Sequence, residues 1–266
     1  MIPFRTSRYL LVTFAAAIGL LPCAVAQRAL PSVDIATVAE QYLLSAANQE
    51  RGGRGLPLLH RDPQLARAAA KHAHTMAEHG SISHQFADEP ELTERGANAG
   101  VPFSEISENV GEAPSVVTIH DLWMHSEHHR DNLLDPAVDA VGISVINRGG
   151  ELYAVEDFAK TVRSFSLQEQ ESAIGTLVAR QGVSVATDDP SSTSAARQTC
   201  SMATGYAGAR KPWFVMRFTS DSLTQLPGEL KTKLASGQYH QAAVGACAGD
   251  RQSAFTSYTF AVLLYP

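Results

Sequence analysis

The chain has 266 residues, 44% of them hydrophobic and 18% charged, with a formal net charge of −6. That balance describes a folded protein with a substantial core and excludes a disordered or low-complexity chain. An acidic balance without a basic cluster leaves no electrostatic footprint for nucleic acid or anionic lipid.

The chain opens on the pattern of a secretory signal, Met1 to Ala26. Arg5 and Arg8 form its positive end, Leu10 to Leu21 its short apolar run, and Ala24-Val25-Ala26 its small-residue cleavage site. The expected mature chain starts at Gln27 and has no membrane-spanning segment left. Cys23 departs with the signal, leaving Cys200 and Cys247. An even pair in an oxidising compartment reads as a disulfide. It closes a loop of roughly fifty residues, worth roughly 4 kcal/mol in the chain-entropy model.

Val33 to Glu50 shows helical spacing of Ile35, Val38, Tyr42, Leu43, Ala46 and Ala47, and Gly52-Gly53 ends it. Asp62-Pro63 then signals a second helix, with aspartate as N-cap and proline at the first helical position. It runs to His79, and Gly80 stops it. His72 falls on its apolar side and reads as a hydrogen-bonded core histidine. A short third helix is expected over Glu91 to Ala99. A fourth follows Pro114 and puts Val116, Val117, His120, Trp123 and Met124 on one face.

Two alternating strands come next, Ala140 to Ile146 and Glu151 to Ala159, joined by a turn at Arg148-Gly149-Gly150. Past Lys160 the composition changes. Leu167 to Arg180 reads as a helix, Asp188 to Ser194 as a polar loop, Lys211 to Thr219 as a strand, Glu229 to Ala235 as a short helix, and Phe255 to Tyr265 as a strand. Helices first and a meander last indicate an α+β fold. No internal repeat and no coiled coil is evident.

The segments from Asn48-Gln49-Glu50-Arg51 through Ser81-Ile82-Ser83-His84, Ser107-Glu108-Asn109-Val110 and Trp123-Met124-His125-Ser126-Glu127-His128-His129-Arg130 resemble the CAP superfamily. This is the group of cysteine-rich secretory proteins, antigen 5 and pathogenesis-related proteins, whose domain is also called SCP, and the likeness is to its bacterial branch. Ala140-Val141-Gly142-Ile143-Ser144 and Tyr153-Ala154-Val155-Glu156-Asp157-Phe158 complete the likeness, which covers roughly residues 33–160. It implies an α-β-α sandwich around a small antiparallel sheet. Residues 27–160 are then a CAP-like domain. Residues 161–266 form a small disulfide-linked α+β domain of unrecognised family.

The family gathers two histidines and two acidic residues in one cleft. His84, Glu108 and His129 match three of them. The fourth position departs: Ser126 stands where eukaryotic members carry glutamate, with Glu127 one step along. Two imidazoles and a carboxylate suit a divalent metal such as zinc, or general acid–base work. No nucleophile elbow is present, so catalytic residues are unknown and the chain reads as a non-enzymatic binding module. Its cleft would hold a metal, a small ligand or an extracellular or envelope component. The alternative is a metal-assisted hydrolase of peptides or envelope polymers, with Glu108 as base. A third reading places the active surface in the C-terminal half, at Trp213, Phe214 and Tyr258. The expected location is secreted or periplasmic.

Overall fold

A computed structural model describes residues 36–186, 189–248 and 254–266. The signal pattern and Gln27 lie outside these residues. The first half of the described chain begins with α1 (Val38–Gly52), whose N-cap Thr37 and Glu40 form a reciprocal capping box. Val33 to Ile35, expected inside this helix, lie outside the described residues. After β1 (His60–Arg61), Asp62 accepts from the backbone of Gln64 and Leu65 and starts α2 (Pro63–His79), which ends at left-handed Gly80. Then come α3 (Leu92–Asn98), β2 (Phe103–Ala113), α4 (Val116–His125), α5 (Glu127–Leu134), β3 (Ala140–Arg148) and β4 (Glu151–Thr161).

Strand order in this sheet is β1-β3-β4-β2, with β1 parallel to β3 and the other pairs antiparallel. The sheet is therefore mixed, not purely antiparallel as expected. Gly149 and Gly150, both at positive φ, make the tight turn between β3 and β4. One face packs Tyr153, Val155 and Val110 on Ala69, Ala73 and Met76 of α2. The other packs Val141, Ile143, Ala154 and Phe158 on Leu43 and Ala47 of α1, Ile119 and Trp123 of α4 and Leu133 of α5. That is an α-β-α sandwich.

β2 is the main element the sequence reading left out. Its polar residues hid it, and Glu108, read as a loop carboxylate, stands in mid-strand.

The second half runs α6 (Leu167–Ala179), β5 (Ser184–Val185), α7 (Pro190–Cys200), β6 (Phe214–Ser220), α8 (Gly228–Leu234), β7 (Gln241–Cys247) and β8 (Tyr258–Tyr265). The stretch expected to be a polar loop is in its described part the start of α7, capped by Asp189. Strand order is β5-β7-β8-β6, with β5 parallel to β7 and the rest antiparallel.

This second sheet repeats the first strand for strand, which corrects the reading of no internal repeat. In each half a helix, a two-residue strand and an Asp-Pro-capped helix lead to an edge strand, and a further helix leads to the closing antiparallel pair. The packing repeats as well. Ala196 and Cys200 of α7 lie against Ala243, Ala261 and Leu263, as α2 lies on its sheet. Ile174 and Val178 of α6 with Leu230 and Leu234 of α8 cover the other face. A glycine of the inner strand makes room for each Asp-Pro helix. A Cβ on Gly142 would overlap the backbone of Leu65 and Ala66, and one on Gly245 that of Ala196 and Arg197.

Cys200 and Cys247 are bonded, with S–S 2.00 Å and Cα–Cα 5.9 Å, fastening α7 to β7. The halves meet where Thr256 N–H donates to Phe103 O at 2.6 Å and Lys160 bridges Glu105 and Asp221. Trp213 is 65% exposed, whereas Tyr258 is buried core.

Candidate functional site

The site forms where β2 passes under the segment that follows α2. Glu108 pairs with Asp157 across β2 and β4, so both side chains point toward α2. Glu108 is only 5% exposed. Its Oε1 accepts from His84 Nδ1 at 2.9 Å, and its Oε2 accepts from the Arg95 guanidinium. His72 Nε2 lies 3.6 Å from the same carboxylate. Burial pushes the Glu108 carboxyl up, but the His84 hydrogen bond and the charges of Arg95 and His72 outweigh it and hold it below its ordinary value.

The hydrogen bond to Glu108 raises the His84 imidazole, against some loss from burial. The His84 ring is the open part of the site, with its side chain 62% exposed. Asp157 is fully buried, and both burial and the neighbouring Glu108 charge push its carboxyl well up. The cleft floor therefore sets a carboxyl held below its ordinary value beside one pushed well above it.

His129 comes from the other side, on α5. Burial lowers its imidazole, and the charges of His84 and His128 add to the effect. Its Nδ1 is buried without a hydrogen-bond partner among the described residues. Two amides hold α5 to the strand. Asn109 Nδ2 donates to His129 O at 3.0 Å, and Asn132 Nδ2 donates to Glu108 O and Asn109 Oδ1, each at 3.1 Å. Fully buried Arg51 pins the end of α5 by donating to the carbonyls of Leu133, Asp135 and Val138.

The structure thus brings His84 and Glu108 into direct contact and sets His129 beside them. Ser126 is the junction residue between α4 and α5. Glu127 is exposed on the first turn of α5 and forms no ion pair among the described residues. His125 pairs with Asp121 at the surface.

Sequence reasoning missed Arg95, and it weighed Asp157 as a strand-end pair before a cleft residue and Asn109 and Asn132 as turn-fixing amides. Asp157 was legible only as one of an alternating strand pair, and Arg95 only as a charge on a short helix. Neither position shows in a spacing rule, because the contacts join α3, β2 and β4.

The arrangement is a poor seat for a divalent cation. Both oxygens of Glu108 are already taken, one by a guanidinium whose fixed positive charge opposes a second cation. Among the described residues, no three His, Cys, Asp or Glu side chains are grouped to hold one metal ion. In the repeat the site is gone. Counting from the paired glycines, Arg217 takes the place of Glu108 and Ala261 that of Asp157. Arg217 donates to Thr199 O at 2.8 Å and Gly205 O at 2.5 Å, closing the corresponding hollow.

An α-β-α sandwich carrying a histidine–glutamate cleft beside its edge strand is the class of domain defined here. Residues 44–158 match the model of the cysteine-rich secretory protein family, CAP, and this part of the chain belongs to that family. A curated relative, the uncharacterized protein YkwD of Bacillus subtilis, is 24% identical over 111 residues. That match spans 41% of this chain and 43% of the relative. An extracellular SCP-domain protein from Bacillus anthracis is 27% identical, covering 46% of this chain and 40% of its own, with TM-score 0.44. An outer surface protein from Borrelia burgdorferi is 20% identical, covering 48% of this chain and 96% of its own, with TM-score 0.45. Among the described residues no helix is long and apolar enough to cross a membrane.

Proposed function

We propose that this protein is a secreted or periplasmic binding protein whose CAP cleft takes a polar group of a small ligand or envelope component between His84 and His129. The observation that carries this reading is the engagement of Glu108. Its carboxylate holds Arg95 and orients His84, so it is unavailable as a metal ligand or general base. His84, its Nδ1 turned to Glu108, presents its exposed Nε2 edge to solvent, and the His129 ring lies beside it with its buried Nδ1 unpartnered among the described residues. Ser107 Oγ is buried and has no hydrogen-bond partner among the described residues, so no histidine activates it there.

The test has two arms. Purified protein is titrated with zinc, and it is incubated with zinc together with a panel of peptides and peptidoglycan. The expected result is no stoichiometric zinc site that depends on Glu108, and no turnover. Hydrolysis that disappears in His129→Ala would overturn the binding reading and establish the metal-assisted hydrolase. The positive arm is a glycan and peptide array, in which His129→Ala abolishes the retained spots while leaving the melting temperature unchanged.

A further inference from the structure

α2 and the segment leading through α3 line a further cavity of about 440 Å³, which shares Arg95 with the surroundings of Glu108. This lies within the range of small-ligand pockets. One wall is a single stripe of α2, with Arg67, Lys71 and Thr75 each one turn from the next. Arg95 and Asn98 stand opposite, over an apolar floor of Ala68, Pro90 and Ala99.

The charges around this cavity do not cancel. Glu89 is the acid in its lining, and its carboxylate is turned inward. Oε1 accepts from Phe86 N–H at 2.9 Å, and Oε2 faces His72 Nδ1 at 3.0 Å. Arg95 is neutralised by Glu108. Arg67 and Lys71 are left. Arg67 donates only to Pro63 O, at 3.1 Å, and neither residue makes an ion pair among the described residues. Two cations without an ion pair, against the one lining carboxylate of Glu89, leave this cavity net positive in a chain of net charge −6.

A second observation points the same way. Arg95 is 6% exposed, and its Nε has no acceptor among the described residues. A buried N–H left unsatisfied costs about 1–3 kcal/mol, so native structures rarely keep one without a partner.

We propose that this cavity is a second binding site, for a compact ligand that carries a carboxylate or phosphate on a small apolar body. Arg67 and Lys71 supply the charge, Thr75 and Asn98 the neutral hydrogen bonds, and Arg95 the inner end. Because Arg95 also holds Glu108, a ligand here reports to the cleft through one side chain. The site does not depend on what the cleft binds.

The test uses the full mature chain with two probes, citrate and inorganic phosphate, read by calorimetry and by amide shifts of Thr75 and Asn98 in NMR. The wild type should bind at least one probe saturably, with shifts at those amides and weakening as salt rises. The double variant Arg67→Gln/Lys71→Gln should lose at least tenfold in affinity, while Arg180→Gln/Lys211→Gln, which removes the same charge elsewhere, should not. All four positions changed are exposed, so melting temperatures should agree and a folding defect is separable. Saturation by citrate alone assigns a carboxylate ligand, and by phosphate alone a phosphorylated one. No saturable binding of either probe to the wild type, or equal losses in the two double variants, would overturn the proposal.

Discussion

Glu156 offers a direct test of how this sheet is held together. It sits on the α1/α4/α5 face, between Ile143 on β3 and Asn109 on β2, fully buried and with neither oxygen hydrogen-bonded among the described residues. Burial pushes its carboxyl up to about 8 from an ordinary 4.5, and the nearby Asn109 amide draws it only partly back. The folded chain therefore keeps this proton up to about pH 8, whereas the unfolded chain releases it near pH 4.5. Folding bears no penalty below 4.5 and loses stability steadily as pH rises through this window, at about 1.4 kcal/mol per pH unit. By pH 7 the accumulated loss is about 3 kcal/mol, a large share of a typical domain's stability.

Glu156→Gln keeps the shape and removes the proton. Urea denaturation of both proteins at pH 5, 7 and 8.5 checks the argument. Subtracting one from the other cancels every titration they share, including that of Asp157 on the opposite face. The variant should match the wild type within about 1 kcal/mol at pH 5 and exceed it by about 3 kcal/mol at pH 7. A difference that stays flat across these pH values would refute the reasoning.

Two further outcomes follow from the repeated architecture. Gly142→Ala and Gly245→Ala should each destabilise by about 3 kcal/mol in chemical denaturation, because the added methyl meets helix backbone and not a movable side chain. The double variant Cys200→Ser/Cys247→Ser should lose about 3–4 kcal/mol, since the bond closes a loop of 47 positions, and limited proteolysis should find the new cuts in the C-terminal half before the CAP half.

Much of this protein was written locally in its sequence. α2 was readable from end to end, since Asp62-Pro63 and Gly80 act through the backbone within one turn of where they stand. His72 declared itself as core by its place on the apolar stripe, and the cysteine pair by parity. The cleft trio was reached only through family likeness, because no spacing rule joins His84, Glu108 and His129.

What remained was decided by contacts between distant segments. The middle of β2 is buried on both faces, with Glu108 and Asn109 beside Val110 and Gly111, so polar residues stand inside and no alternation marks it. α7 carries the same Asp-Pro start as α2, but its Ser/Thr-rich first turns have weak helix propensity. Packing on Gly245 and the bond to Cys247 make it a helix. The repeated topology shows in sequence only as the Asp-Pro steps at 62–63 and 189–190 and the Ala-Val-Gly steps at 140–142 and 243–245. Those are the places where backbone meets backbone and few residues fit. Elsewhere many side chains can fill the same volume, so the two halves share connections and close approaches while one keeps Glu108 and the other carries Arg217.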